Sequence, residues 1–133
     1  MAESELHQQL VKLIRSWAKI NLSNEDYFLL HTDLAENNRP PNLKNCIPDV
    51  WLETDSIVLI GEAKTPTDYL RRHSIEQYQS YLKYLHNKKN GQLIFSCNWR
   101  VMKTFKNIIK SLASKGNINL FNPPIFLCLE NYD

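Results

Sequence analysis

The chain has 133 residues, 43% of them hydrophobic and 23% charged, with a formal net charge of +2 at pH 7, which is enough for one domain that buries a core without disulfides or a structural metal. Its three cysteines lack the paired spacing of zinc or iron–sulfur sites, and the chain has neither a basic-then-apolar leader nor an apolar run of roughly 18 residues. Composition therefore excludes a disulfide scaffold and a membrane span, and we expect a soluble, cytoplasmic protein.

An amphipathic pattern predicts a first helix from Glu3 to Ile20. The apolar residues at helical spacing are Leu6, Leu10, Leu13, Ile14 and Trp17. At about 100° per residue, Glu3 lies in the same sector as Leu10 and Ile14, whereas Glu5 points nearly opposite. An acid on the apolar side favours a functional role, although the helix dipole also stabilises acids in a first turn.

The next elements lead to the most informative segment of the chain. Tyr27 to His31 is predicted to form a strand, and the Pro- and Asn-rich stretch from Asp33 to Lys44 is predicted to be an irregular loop. Ile47 to Lys64 is then predicted to form a β-hairpin. Because side chains alternate along a strand, Glu62 and Lys64 project together from one face of its second strand.

Two carboxylates come close together on this hairpin. If the turn centres on Thr54-Asp55, Asp49 lies opposite Ile60 and diagonal to Glu62, with a Cβ separation of roughly 7–8 Å. Carboxylates at that distance can share a hard cation, and Mg²⁺ takes one or two of them while keeping other positions for water and phosphate. The alternative is a surface ion pair between Glu62 and Lys64, although charge after an apolar run is costly unless it is used or paired.

The pattern Pro48-Asp49, twelve residues, then Glu62-Ala63-Lys64 resembles the signature of the PD-(D/E)XK nuclease superfamily. The resemblance implies that Asp49 and Glu62 bind Mg²⁺ or Mn²⁺. It further implies that the backbone carbonyl of Ala63 adds a ligand and that Lys64 orients or activates the attacking water. The opening Ala2-Glu3-Ser4-Glu5-Leu6 is similar to that of small Holliday-junction resolvases of this superfamily, which implies that Glu3 contributes to the metal site.

A second helix is predicted to begin at Ser74, where Ser74-Ile75-Glu76-Gln77 has capping-box spacing, and to end near His86. Gln77-x-x-x-Tyr81 resembles the QxxxY element that follows the catalytic hairpin in RecB-like members of the superfamily. That resemblance implies that Gln77 and Tyr81 position substrate near the metal. The capping box offers Gln77 a structural role instead.

The remaining elements complete an α/β pattern. Gln92 to Cys97 is predicted to be a buried strand, Val101 to Ala113 an amphipathic helix, and Ile118 to Leu129 a strand interrupted by Pro123-Pro124. The order α-β-β-β-α-β-α-β resembles the restriction-endonuclease-like core, a mixed central sheet flanked by helices. No repeat or linker indicates a second domain, so residues 1–133 are predicted to form one nuclease-like domain.

Basic residues are concentrated in the second half of the chain. Between Arg71 and Lys115, ten Lys and Arg accompany one acid, a net charge of +9, whereas the remainder has six bases and thirteen acids, a net charge of −7. We expect one surface to approach phosphate, although solvated helix faces would show the same pattern. The candidate DNA contacts are Arg71, Arg72, Lys103, Lys106 and Lys110.

These features together predict a Mg²⁺-dependent deoxyribonuclease. We expect it to be structure-selective or weakly sequence-specific, because a chain of this length leaves little protein beyond the core for groove-reading elements. A homodimer could supply such elements. Two alternatives stay open at this point: a noncatalytic DNA-binding or complex-forming module of the same fold, and a nuclease that acts on RNA.

Overall fold

The structure of the protein, a computed structural model, describes residues 4–32 and 46–129. The helices are α1 (Glu5–Asn21), α2 (Asn24–Phe28), α3 (Arg72–Leu85) and α4 (Met102–Lys115), and the strands are β1 (His31–Thr32), β2 (Val50–Glu53), β3 (Val58–Ala63), β4 (Gly91–Asn98) and β5 (Ile125–Leu129). A 3₁₀ turn, Trp99–Val101, joins β4 to α4. The predicted loop from Asp33 to Lys44 and the predicted helix start at Glu3 lie outside the described residues.

The five strands form one mixed sheet in the order β1-β2-β3-β4-β5. The β1–β2 and β2–β3 pairs are antiparallel, whereas β3–β4 and β4–β5 are parallel. A parallel pair requires a crossover connection, and α3 and α4 lie in these two crossovers. Both helices therefore begin at the end of the sheet where β3 and β4 finish, which we call the carboxyl end. The α/β class, with a mixed sheet flanked by helices, is confirmed.

Each face of the sheet buries its own apolar cluster. Alternation along β3 directs Leu59 and Ala63 toward α1, and Val58 and Ile60 toward α3 and α4. The molecule thus has three layers, with α1 on one face and α3 and α4 on the other. Gly61 faces α1, where a Cβ atom would lie 2.9 Å from the Cγ2 atom of Ile14. Its missing side chain lets α1 pack directly against the strand.

The predicted strand from Tyr27 to His31 is wrong for most of its length. Asn24–Phe28 forms the short helix α2, and only His31–Thr32 pairs with β2. The Ser23 hydroxyl caps this helix by accepting a hydrogen bond from the Asp26 backbone N–H at 3.1 Å. Capping and the acids of the first turn outweigh the strand propensity of the aromatic residues in this segment. The described part of the chain, residues 4–32 and 46–129, therefore has one α-helix more than predicted.

Two other predicted boundaries also differ. The helix α3 begins at Arg72, and Ser74 lies inside its first turn, where the hydroxyl donates to the Asp68 carbonyl at 2.6 Å. The predicted capping box of Ser74 and Gln77 is therefore wrong. The final strand begins only at Ile125, because the two preceding prolines have no N–H to donate to a ladder. The predicted strand at β4 and helix at α4 are confirmed within a few residues.

The cysteines and helices agree with the compositional expectations. Cys46, Cys97 and Cys128 are all free thiols, and the first two are buried. Burial, with the neighbouring Cys128, raises the pKa of the Cys97 thiol to about 12. Among the described residues, every helix is too short or too polar to cross a bilayer.

Candidate active site

The hairpin of β2 and β3 brings Asp49 and Glu62 side by side. Val50 pairs with Gly61 in this antiparallel ladder, so continuing the ladder by one residue places Asp49 opposite Glu62. The predicted register, with Asp49 opposite Ile60, is wrong by two residues. Directly opposite residues have closer Cβ atoms than diagonal ones, so the two carboxylates are nearer to each other than predicted.

The cause of the different register is the turn of the hairpin. It spans four residues between Glu53 and Val58, which are themselves paired. The Thr54 N–H donates to the Ile57 carbonyl at 2.8 Å, and the Thr54 hydroxyl accepts from the Ser56 and Ile57 backbone N–H groups, each at 3.2 Å. A shift of two residues leaves every side chain on its predicted face of the sheet, since the side-chain period is two.

Asp49 is held at the carboxyl end by the sheet and by α1. The residue is buried, 5% exposed, and its Oδ2 accepts a hydrogen bond from the Ala63 backbone N–H at 2.9 Å. The Nε2 atom of His7, on α1, lies 3.2 Å from the same oxygen. These two contacts fix the carboxylate against β3 and against α1.

Glu62 and Lys64 are held from the opposite face by α3. Glu62 is 3% exposed, and its Oε1 accepts a hydrogen bond from the Tyr81 hydroxyl at 2.7 Å. The Lys64 Nζ donates to Gln77 Oε1 and lies 3.7 Å from Glu62 Oε2. The structure therefore brings both Gln77 and Tyr81 to the predicted site, and Gln77 contacts the lysine instead of capping its helix.

The two neighbouring carboxyl groups have opposite pKa shifts. Burial and the charge of Asp49 raise the pKa of Glu62 well above its ordinary value, although Lys64 acts in the other direction. Burial would also raise the pKa of Asp49, but hydrogen bonds with His7 and Glu62 outweigh it and lower that pKa. Burial and the Glu62 charge raise the pKa of Tyr81, so its hydroxyl stays protonated and donates. Asp49 therefore ionises at a lower pH than Glu62.

His7 is the site residue that the sequence argument missed. Among the described residues, His7, Asp49 and Glu62 offer ligand atoms that all lie within 4.8 Å of one another. A signal was present in the sequence, because His7 precedes Leu10 and Ile14 by three and seven residues. It therefore lies on the apolar side of α1, by the same argument that placed Glu3 there.

The donor set of this cluster fits a hard divalent cation. Asp49 and Glu62 supply carboxylate oxygens, which Mg²⁺ and Mn²⁺ prefer. The single imidazole, from His7, contacts the Asp49 carboxylate, as residues around a metal site do when they orient a ligand. The ligand role of the Ala63 carbonyl stays a prediction, and so does that of Glu3, which lies outside the described residues.

The five predicted DNA contacts are all exposed and lie on two helices. Arg71 is the residue before α3 and Arg72 is its first residue, and Arg71 also approaches Asp68, with Nε 3.5 Å from Oδ1. Lys103 is in the first turn of α4, whereas Lys106 and Lys110 lie one and two turns further along it. The positive charge thus starts at the carboxyl end and continues along α4.

Comparison of the chain with protein-family models, curated proteins and solved structures found no match. What the structure shows directly is an α/β protein with a five-stranded mixed sheet flanked by helices.

Replacing Glu62 by Gln should stabilise the metal-free protein by about 0.5–2 kcal/mol at neutral pH. The buried Glu62 must either take up a proton or carry a second negative charge beside Asp49, whereas Gln does neither and keeps an acceptor for Tyr81. A raised pKa in the folded state costs stability above the unfolded value of 4.5. The gain in free energy of unfolding from Glu62→Gln should therefore vanish below pH 4.5 and grow as the pH rises above it. Urea denaturation in EDTA measures it.

The matched control for this prediction is Glu53→Gln. Glu53 also accepts a hydrogen bond from a tyrosine, Tyr84, but it is exposed on β2, so the substitution should change stability little. Mn²⁺ should raise the Tm of the wild type and leave that of Glu62→Gln unchanged. A less stable Glu62→Gln protein in EDTA would show instead that Glu62 serves as a structural partner of Lys64.

Proposed function

We propose that the protein is a metal-dependent nuclease that hydrolyses phosphodiester bonds in DNA, built on a restriction-endonuclease-like core. The observation that carries this proposal is the buried cluster of Asp49, Glu62 and Lys64. Two buried carboxylates beside one ammonium are costly, and apolar residues would serve a purely structural role better. A divalent cation would balance the negative charge that Lys64 leaves uncompensated.

The elements around the cluster also support the proposed restriction-endonuclease-like core. A hairpin supplies Asp49 and Glu62, and the helix after it supplies Gln77 and Tyr81 to the same end of the sheet. These are the elements that the resemblance to the PD-(D/E)XK superfamily implies. The additional helix α2 precedes the hairpin and leaves that arrangement intact.

In the proposed site, Asp49 and Glu62 would hold Mg²⁺ or Mn²⁺, with the Ala63 carbonyl as a further ligand. The bound ion would lower the pKa of a water molecule and polarise the scissile phosphate. The surrounding side chains fix this geometry, since His7 orients Asp49 and the Tyr81 hydroxyl orients Glu62. Positioned ligands that need no rearrangement are what efficient catalysis requires.

In the proposed mechanism, Lys64 orients the attacking water molecule by a hydrogen bond. Its ammonium has three N–H donors, of which one goes to Gln77 and another faces Glu62. The remaining donor can orient the attacking water and offset charge on the phosphate. Lys64 is buried beside the aromatic ring of Tyr78, with Nζ 6.0 Å from the ring centre. The ammonium is thus held between this ring, Gln77 and the Glu62 carboxylate.

DNA is the proposed substrate because the exposed positive charge begins at the end of the sheet that carries the cluster. The polyanionic backbone supplies most of the affinity in such contacts, and phosphate contacts carry no sequence information. The described residues include no further element beyond the three layers that could enter a groove. The proposed enzyme is therefore structure-selective or weakly specific for sequence.

Asp49→Asn, Glu62→Gln and Lys64→Ala should each abolish cleavage and leave most of the DNA affinity intact, because the exposed bases supply the binding energy. Cleavage should be assayed on duplex, branched and single-stranded DNA and on RNA, each with Mg²⁺, Mn²⁺ or EDTA. Full activity of Asp49→Asn, or equal activity in EDTA, would rule out the metal site. Cleavage of RNA alone would reassign the substrate.

His7→Ala should reduce cleavage about 10- to 100-fold without abolishing it, the usual loss when a group that orients a metal ligand is removed. His73→Ala is the matched control, because His73 is exposed in the first turn of α3. Steady-state rates over a series of Mn²⁺ concentrations measure both variants. Equal rates for His7→Ala and His73→Ala would show that His7 has no role in cleavage.

Reversing Arg72 or Lys106 to Glu should weaken binding on every DNA sequence and lower the slope of log K against log salt, by roughly 0.9 for each phosphate that the protein no longer neutralises. Lys19→Glu, an exposed reversal on α1, is the control for a general change of net charge. Binding titrations at several salt concentrations provide the slopes. The same slope for all three variants would mean that DNA binds elsewhere.

A further inference from the structure

Trp99 is an exposed tryptophan at the carboxyl end of the sheet. The Lys64 N–H donates to the Ser96 carbonyl at 3.0 Å, and Trp99 lies three residues beyond Ser96, immediately after β4. At a rise of about 3.3 Å per residue, its backbone is within about 10 Å of that hydrogen bond. Trp99 is 48% exposed, whereas Trp51 in the core is 7% exposed. A large aromatic side chain is therefore exposed at the end of the sheet that carries the candidate active site.

The backbone that carries Trp99 is fixed on both sides. The Asn98 side chain is buried, and its Oδ1 accepts a hydrogen bond from the Arg100 N–H at 2.9 Å. Val101 packs against the apolar cluster beneath α3 and α4. The Met102 N–H donates to the Trp99 carbonyl and closes the 3₁₀ turn. The indole is thus presented by a rigid turn, which lowers the entropy cost of binding something against it.

The surroundings of the indole are cationic. The Arg100 guanidinium carbon lies 5.3 Å from the centre of the Trp99 ring. The turn and α4 together contain no acid, and Lys103 is exposed one helical turn away. An aromatic face beside cations suits a ligand that has both an aromatic ring and a negative charge. An unpaired nucleotide has this combination, because its base can stack and its phosphate meets the basic side chains of the protein.

We propose that Trp99 stacks on an unpaired base of the DNA strand that enters the candidate active site. This inference rests on the proposed function and narrows its substrate to DNA with an unpaired nucleotide near the scissile phosphate, as in a single-stranded extension. A base inside an intact duplex has both faces covered by its neighbours, so it cannot stack on Trp99 unless it leaves the duplex stack. Trp99 is a binding residue in this scheme and takes no part in the chemistry.

The test is a binding measurement in EDTA, where the proposed cleavage does not proceed. Fluorescence anisotropy would follow three labelled DNAs: a blunt duplex, the same duplex with a short single-stranded extension, and that extension with abasic sites. Trp99→Ala should lose about tenfold in affinity for the extension, the size that alanine substitution produces at stacking positions. It should bind the blunt and abasic DNAs as the wild type does. Trp99→Phe, which keeps an aromatic face, should restore most of the affinity.

Phe121→Ala is the matched control. Phe121 is 49% exposed but lies near the opposite end of the sheet, beside Asn122, whose side chain donates to the Gly91 carbonyl at 2.8 Å. Its removal should change none of the three affinities. An exposed aromatic residue with no role in binding DNA should behave in this way, so the comparison isolates the position of Trp99.

Two results would overturn the proposal: an unchanged affinity of Trp99→Ala for the extended DNA, or an equal loss on the abasic DNA. In either case the indole does not contact a base. The catalytic assignment is tested separately by Asp49→Asn. If Asp49→Asn is inactive and Trp99→Ala binds the extended DNA as the wild type does, the nuclease assignment stands and base stacking on Trp99 is wrong. If Asp49→Asn is active and Trp99→Ala loses affinity for the extended DNA only, Trp99 stacks on a base and the nuclease assignment is wrong.

Discussion

The pairing of Val50 with Gly61 is the constraint on which the candidate active site depends. It places Asp49 opposite Glu62, and the Ala63 N–H then donates to the Asp49 carboxylate instead of to a strand carbonyl. A slip of one residue would turn Glu62 toward α1, and a slip of two would separate the carboxylates by a further step along the ladder. The four-residue turn that closes the hairpin therefore determines the distance between the two acids.

Three contacts from two helices, α1 and α3, support the charged groups once the hairpin has brought them together. The supporting contacts are His7 to Asp49, Tyr81 to Glu62 and Gln77 to Lys64. Helices on both faces of the sheet thus take part, and each charged group has a partner outside its own strand. Such an arrangement limits the side chains to one geometry, as a preorganised site requires. The same burial raises the pKa of Glu62, so the site lowers the stability of the fold that holds it.

Periodicity in the sequence predicted the local part of this arrangement. Alternation placed Glu62 and Lys64 on one face of β3, and helical spacing placed Gln77 and Tyr81 on one side of α3. The register of the hairpin was missed because it depends on how many residues the turn uses. The contact of His7 with Asp49 was missed because the two residues are 42 positions apart in sequence and meet only after the layers pack. Ser74 was misread because its hydroxyl donates to the Asp68 carbonyl, in the segment just before α3, instead of capping the helix.

Gly61 acts as a spacer between the first helix and the sheet. Because a Cβ atom at this position would meet Ile14 at 2.9 Å, the glycine sets how closely α1 approaches β3. A second attachment lies one helical turn earlier, where the Ser96 hydroxyl donates to the Leu10 carbonyl at 2.8 Å. His7 lies one further turn toward the carboxyl end, so the distance between α1 and the sheet also affects where its imidazole meets Asp49. The absence of a side chain at Gly61 thus helps to set the contact between His7 and Asp49, two helical turns from Ile14.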